Sequence, residues 1–572
     1  MASEGGGGGF GSPGEEGGAG GGPGGAIFFR RKDFKKTIST AEARQKRTET
    51  NIQIRKNKRL ESLNKKRNVG GAADAGAVGG LAAVAAAEES GHAGGLTGST
   101  GAAPLTTVPN EVLLDHLPVF AAAAMSDNPI AQYEGTKQIR RLLSKETDPP
   151  VVPVLRSEVV PVLADFLGRL ENPALQFEAA WALTNIASTE HTEVIVDLGI
   201  TPLLIRLLRS TNPDVREQCC WCLGNIAGDG HRFRDMVLDQ EDAINNLVLN
   251  IAHPSSLSML RNATWTLSNF CRGKPQPSIE AAQEMLPVLV HLLNSTDAEV
   301  LTDTCWALSY LSDGDDERIQ QVIDFRAVPR LVMLMSHEST AVVNPALRAV
   351  GNIVTGNDEQ TQAVIECGAL HSFVPLMQSS KKNIRKEACW AVSNVAAGVI
   401  EQVEALTTVP HLIEQVIDLL GHGEWKVRKE AAWAVSNMTI TGNETHIERL
   451  VNAGAIPPLC ELLMVADTKI MLVAMDALDA VLKAGIVTNM PWRDLVEEAG
   501  GLERLYQLQE HKTKEVWEKA VSILRRHFPE DDETGEDGYG AVAPEMTTGE
   551  DGAVTYGFGL GGEIGNHNIH YG

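Results

Sequence analysis

The sequence predicts an all-α protein: a right-handed superhelical solenoid of about ten armadillo-like helical repeats with a disordered basic N-terminal arm. Three observations predict it. Tryptophans recur at a nearly fixed interval, apolar helical patterns recur around them, and a block of Lys and Arg stands apart from an otherwise acidic chain of 572 residues.

The interval comes first. Trp181, Trp221, Trp265, Trp306, Trp390 and Trp433 lie 40, 44, 41, 84 and 43 residues apart. The gap of 84 is twice 42, and Arg348 stands at its midpoint. Around each anchor runs an Ala/Leu/Val-rich pattern such as EAAWALTNIAS or EACWAVSNVAAG. A Gly-containing turn and another apolar helix follow, as at Gly199–Leu208, Gly368–Met377 and Gly454–Leu463. A helical unit of ~40–47 residues is the signature of armadillo or HEAT solenoids. Weaker units at Asn110–Leu143, Lys469–Val487 and Leu502–Phe528 flank the array, as capping repeats do. Aromatics at 5% and hydrophobic residues at 43% suit helices packed through Leu, Val, Ile and Ala.

Composition divides the chain into five segments. Residues 1–27 are Gly-rich and bury too little to offset ordering entropy. Residues 28–69 form a basic arm: between Arg30 and Arg67 stand fifteen Lys/Arg against four acids. Its second half, Ala43–Arg67, has good helix formers with Ile52, Lys56, Leu60 and Leu63 near one face, a helix that an acidic partner would stabilise. Residues 70–108 read as a flexible Gly/Ala linker, 109–529 as the repeats, and 530–572 as an acidic, Gly-rich disordered tail. From Glu530 onward there are ten acids and no Lys or Arg, and the net charge of the whole is −24. A basic arm on an acidic body invites intramolecular attraction and makes the body a receptor for cations rather than nucleic acid. Eight scattered cysteines, no apolar leader and no span of ~20 apolar residues predict a soluble intracellular protein.

Five of the tryptophans are followed four places later by asparagine: Trp181/Asn185, Trp221/Asn225, Trp265/Asn269, Trp390/Asn394 and Trp433/Asn437. Residues i and i+4 share a helix face, so stacking the helices lines each pair along one concave surface. An asparagine amide offers a donor and an acceptor to a ligand's backbone whatever its sequence. Parallel indoles form slots for the aliphatic stems of Lys and Arg, with cation–π attraction of roughly 0.5–2 kcal/mol each. Acids such as Asp229, Asp303, Asp358, Glu387 and Glu430 would meet the cationic heads. Trp306 is followed by Tyr310 and Arg348 by Asn352, and these breaks split the groove into two sites. The competing reading makes the tryptophans core residues and the asparagines turn stabilisers. It suits any single pair, but a solenoid core has little use for an amide recurring five times.

Signals for other chemistry are weak. Cys219-Cys220-Trp221-Cys222 contains C-x-x-C but has no second pair, so buried thiols are expected rather than zinc. The N-terminal glycines match G-x-G-x-x-G by composition only. Neither H-E-x-x-H nor a Ser/His/Asp set stands out. The sequence reads as a non-enzyme without cofactor or metal.

Arm and ladder together resemble the importin-α family over Phe28–Phe528. RRKDFKK and QKRTETNIQIRKNKRLESLNKKRNV resemble its importin-β-binding domain. WALTNIAS, WCLGNIAGDG, LRNATWTLSNFCRGK, CWALSYLSDG, ALRAVGNIVTGNDEQTQ, KEACWAVSNVAAG and KEAAWAVSNMT resemble its successive armadillo repeats, which also break the ladder at Tyr310 and Arg348. The resemblance implies a nuclear import adaptor for proteins bearing nuclear localization signals. Its major site would be Trp181, Asn185, Ser188, Thr192, Trp221, Asn225, Asp229, Trp265 and Asn269, with Asp229 on the key lysine ammonium. Its minor site would be Arg348, Asn352, Thr355, Asp358, Glu387, Trp390, Asn394, Glu430, Trp433 and Asn437. It further implies importin-β on the arm, a nuclear export receptor on the last repeat around Glu497–Phe528, and shuttling between cytoplasm and nucleus through the pores, without direct nucleic-acid binding or a membrane span. Lys65-Lys66-Arg67 resembles a cargo signal and is expected to occupy the major groove when importin-β is absent. An armadillo scaffold of the β-catenin type is the alternative; such proteins read partners with a basic groove, against which the acidic body argues.

Overall fold

A computed structural model describes residues 114–145 and 149–529, together with two short strands beyond them. The basic arm, the Gly/Ala linker and Lys65-Lys66-Arg67 lie outside the described residues.

Within them the chain is a stack of helical repeats, and the helix that carries each anchor packs on the corresponding helix of the next repeat from one end to the other. We number these ladder helices α1 (Pro129–Leu143), α2 (Pro173–Ile186), α3 (Pro213–Gly228), α4 (Leu257–Phe270), α5 (Ala298–Leu311), α6 (Thr340–Ile353), α7 (Lys382–Ala396), α8 (Trp425–Thr441), α9 (Thr468–Thr488) and α10 (Lys514–His527). Their starts are written locally. Asn128-Pro129, Asn172-Pro173 and Asn212-Pro213 put an Asn side chain on the first free N–H groups and a Pro at the first helical position, where no N–H is missed. Ser256, Asp297 and Asp467 cap α4, α5 and α9 in the same way.

Two shorter helices complete most repeats, as Asp358–Glu366 and Ala369–Met377 precede α7. The chain turns between them through one left-handed residue. At Gly199, Gly368, Gly454 and Gly500 that residue is the expected glycine, but Glu158, Asp242, Arg326 and His411 hold the same conformation with side chains. Packing of the flanking helices therefore dictates the turn, and glycine is only its least strained occupant. Before α5 a single helix, Ile279–Leu292, replaces the pair.

The core is one continuous ribbon of Leu, Val, Ile and Ala between the helix layers, so each repeat is closed only by its neighbours. At the far end, the carboxylate of Asp479 on α9 accepts from Lys483, Lys519, Arg526 and His527 at 2.9–3.1 Å, tying α10 down. Burial alone would raise the pKa of Asp479. The hydrogen bonds from His527, Lys483 and Lys519 outweigh it and hold the carboxyl well below the usual range.

Glu545–Thr548 and Val554–Gly557 pair as an antiparallel hairpin, with Glu545 opposite Gly557. Thr547, Thr548, Val554, Thr555 and Tyr556 are β-branched or aromatic and favour strands. Among the described residues no helix is long and apolar enough to cross a membrane.

Candidate peptide-binding ladder

Register builds the site. In eight consecutive helices, α2 to α9, the anchor is the ninth residue: Trp181, Trp221, Trp265, Trp306, Arg348, Trp390, Trp433 and Asp476. Because the helices stack in order, equal register places the anchors in one row and the residues four places on in another.

The second row is stitched together. Asn225 donates through Nδ2 to the backbone carbonyl of Thr184 at 3.0 Å, and Asn269 to that of Gly224 at 2.9 Å. Asn352 and Asn437 do the same to Ser309 and Ser393, both at 2.8 Å. Each acceptor lies in the C-terminal half of the preceding ladder helix. Asn185 reaches the Ser144 hydroxyl at 3.0 Å. This corrects the sequence reading on one point: a solenoid core does have a use for a recurring amide, as a staple worth about 0.5–1.5 kcal/mol per repeat.

The staple engages only one end of the amide. The Oδ1 atoms of Asn185, Asn225 and Asn269 are buried with no hydrogen-bond partner, and Asn394 makes no side-chain hydrogen bond at either end. A buried amide oxygen left unpaired costs about 1–3 kcal/mol. Three such acceptors in register, one repeat apart, favour any ligand that brings N–H donors at that spacing.

The indoles lie deeper than surface slots. Trp181, Trp221, Trp265 and Trp390 are buried, while Trp433 and Trp306 are half-buried. Neighbouring repeats cover one edge of Trp265 and of Trp390. A Cβ at Gly224 would come 2.4 Å from Cζ3 of Trp265, and one at Gly351 would come 2.5 Å from Cζ3 of Trp390. Both glycines stand one residue before the ladder position, so the next indole rests on bare backbone. Thr184, Ser268, Ser309, Ser393 and Ser436 hold the equivalent place elsewhere, and all are small. The core reading of the tryptophans thus holds for one edge of each ring.

The expected acids divide. Asp229 caps α3 and is exposed, able to meet a cation in water, and Asp358 is half-buried. Asp303, Glu387 and Glu430 are buried. Glu387 is paired with Arg348 and with Lys386. Burial raises the pKa of Glu430 to about 7, with Glu387 adding to the rise and Lys386, Lys429 and Arg348 opposing it. Ser188 and Thr355 are half-buried, and each donates its hydroxyl to the carbonyl of the preceding ladder asparagine. Thr192 is set inside its turn: it is fully buried and bonded to the carbonyls of Ala187 and Thr189. The three cysteines of α3 are buried, and burial pushes the Cys222 thiol up to about 12, far from the thiolate that metal or redox chemistry needs.

Reading the sequence missed Arg140 and Ser144 on α1, although 41 residues before Trp181 is one more step of the same period. The guanidinium of Arg140 stacks on Trp181 at 4.1 Å from the ring centroid and pairs with Glu178 at 2.7 Å. Gly224 and Gly351 were missed too, because their signal is spatial.

Stacked helical repeats with indoles and amides recurring in register along their ladder helices define an armadillo-repeat protein. The comparisons agree and go further. Residues 147–188, 188–228, 275–313, 315–355 and 357–397 match the armadillo/beta-catenin-like repeat, and 491–541 match the atypical Arm repeat. Residues 30–137 match the importin beta binding domain. Importin subunit alpha-2 of Arabidopsis thaliana is 46% identical over 88% of this chain and 92% of that protein. Importin subunit alpha-1a of Oryza sativa subsp. japonica is 42% identical over 93% and 97%, and importin subunit alpha-B of Dictyostelium discoideum 43% identical over 88% and 94%. Among solved structures, a crystal structure of an engineered protein superposes with a TM-score of 0.65 at 28% identity, covering 72% of this chain and 98% of that one. The chain belongs to the importin-α family of nuclear import adaptors.

Proposed function

We propose that this chain carries proteins into the nucleus by holding their Lys/Arg-rich localization signals on the ladder while its arm, residues 28–69, binds importin-β. One observation supports the groove above the rest: the unpaired buried oxygens of Asn185, Asn225 and Asn269 stand in register beside three indoles. An extended peptide supplies backbone N–H groups to those oxygens, its Lys and Arg stems lie against the indoles, and its charges face an acidic body. Trp181, Trp221 and Trp265 form the major site, with Asp229 on the key lysine ammonium. Trp390 and Trp433 form the minor site with Arg348, Asn352, Thr355, Asp358, Glu387, Asn394, Glu430 and Asn437.

Without importin-β the arm competes for the same groove through Lys65-Lys66-Arg67. A Gly/Ala-rich linker of the 35 residues 70–104 has an r.m.s. span of roughly 30–35 Å, and such tethers give effective concentrations on the order of millimolar. A mimic of intrinsic affinity near ~10 μM is then about 99% bound and weakens cargo roughly a hundredfold. Importin-β lifts the competitor, and an export receptor on α10 and its neighbours returns the empty adaptor from nucleus to cytoplasm.

Fluorescence anisotropy of a labelled Lys-rich peptide with full-length protein and importin-β tests the groove. Trp221→Ala/Asn225→Ala is expected to weaken binding at least tenfold, on the sum of a cation–π contact and a backbone hydrogen bond. Unchanged affinity in that variant would remove the ladder as the site.

A further inference from the structure

Each run of tryptophans begins beneath an arginine. Arg140 on α1 lies over Trp181, the first indole of its run, at 4.1 Å. Arg348 on α6 lies over Trp390, the first indole of the second run, at 5.0 Å. Both make the same second contact: each pairs with the carboxylate three residues before the indole, Glu178 or Glu387. Arg140 and Arg348 are largely buried, and so are both glutamates. Among the described residues no such pair recurs within a run. Gln218 and Asn262 stand at the glutamate position of Trp221 and Trp265, and where an acid does stand there, Glu430 before Trp433, the preceding anchor is Trp390 and not an arginine.

The arrangement is that of a bound ligand. A guanidinium over an indole face, with its charge on a carboxylate beside the ring, is what a ligand Arg in a ladder slot would make. Here the protein makes it with its own side chain, from the repeat before. We propose that Arg140 and Arg348 are built-in occupants of the first slot of each run, closing the outer face of Trp181 and of Trp390 to a ligand side chain. They keep a basic peptide from sliding past the end of its site and fix the register in which it lies. The inference rests on the peptide-groove reading above. It adds that the length of basic run each site accepts is set by these two arginines and not by the number of tryptophans alone.

The occupants are removable, and that makes the proposal testable. Full-length protein with importin-β present is titrated with fluorescent oligolysine peptides that lengthen by one residue at a time, and the length at which affinity stops improving is read. In Arg140→Ala the plateau is expected one residue later. The longest peptides should bind about three- to tenfold more tightly than to wild type, the worth of one vacated indole slot. Arg140→Ala/Glu178→Gln should lose most of that gain, since the slot then lacks its carboxylate. Arg140→Gln keeps the length of the side chain and a hydrogen bond to Glu178 but no charge. It should show the later plateau even if the alanine variant folds poorly, which thermal unfolding by circular dichroism reports. An unchanged plateau in a folded Arg140→Gln overturns the occupant. Failure of wild type to bind any peptide in the series overturns the groove reading itself, and with it the occupant.

Discussion

Gly224 and Gly351 act through their neighbours. Each leaves room for an indole from the following repeat, and a methyl group at Gly224 would sit 2.4 Å from Trp265. The overlap is with a ring wedged between helices, so the ring must move. Gly224→Ala is expected to cost about 1–3 kcal/mol of stability and, because Trp265 is the last indole of the proposed major site, to weaken basic-peptide binding by more than that loss explains. Anisotropy beside intrinsic tryptophan fluorescence would show it; full affinity with an unshifted emission maximum would refute it. Glu430 carries a second prediction. Burial sets its pKa to about 7, whereas an unfolded glutamate loses its proton near 4.5. Its contribution to folding stability therefore falls as pH rises from about 4.5 to 7. Peptide binding runs the other way, because a ligand cation favours the carboxylate. Affinity at the second run should drop as pH falls below 7, by at most about tenfold per unit. Glu430→Gln should flatten that dependence in anisotropy titrations between pH 5.5 and 8; a slope unchanged by the substitution would assign it elsewhere.

Among the elements, α10 depends most on a single side chain. It is the last ladder helix among the described residues, and Asp479 of α9 holds it through Lys519, Arg526 and His527. Asp479→Asn leaves those cations facing one another without their anion. Only Asp479 and His527 are buried, while Lys483, Lys519 and Arg526 reach water, so the loss is about 1–3 kcal/mol. A solenoid loses stability at its ends before its middle, so the loss is expected locally. Amide exchange should accelerate in Lys514–His527 and leave α3 to α6 unchanged; a uniform acceleration would mean that the stack unfolds as one unit. The ladder helices themselves were readable from the chain. Asn-Pro pairs open three of them, and the Trp-to-Asn step of four residues marks their facing side. The turns were only half readable, because Glu158, Asp242, Arg326 and His411 adopt a backbone that their side chains disfavour. Tertiary packing imposes that conformation, and no local signal predicts it.

At the scale of the whole molecule, a basic arm and an acidic body share one chain. If the arm competes with cargo through its basic cluster, Lys65→Ala/Lys66→Ala should raise the affinity of full-length protein for a Lys-rich peptide. The gain should approach a hundredfold without importin-β and vanish with it. Equal affinities of wild type and variant in the absence of importin-β would discard the competition and keep the receptor. By itself the sequence determined the repeat, its period, the two tryptophan runs and the segregation of charge, because a solenoid writes the same local pattern again in every unit and local pattern is what a sequence displays. Only the tertiary structure decided how deep the indoles lie, which end of each asparagine is spent between repeats, and that Arg140 and Arg348 cover the first ring of each run. Those are contacts between residues about forty positions apart, fixed by how one repeat sits on the next.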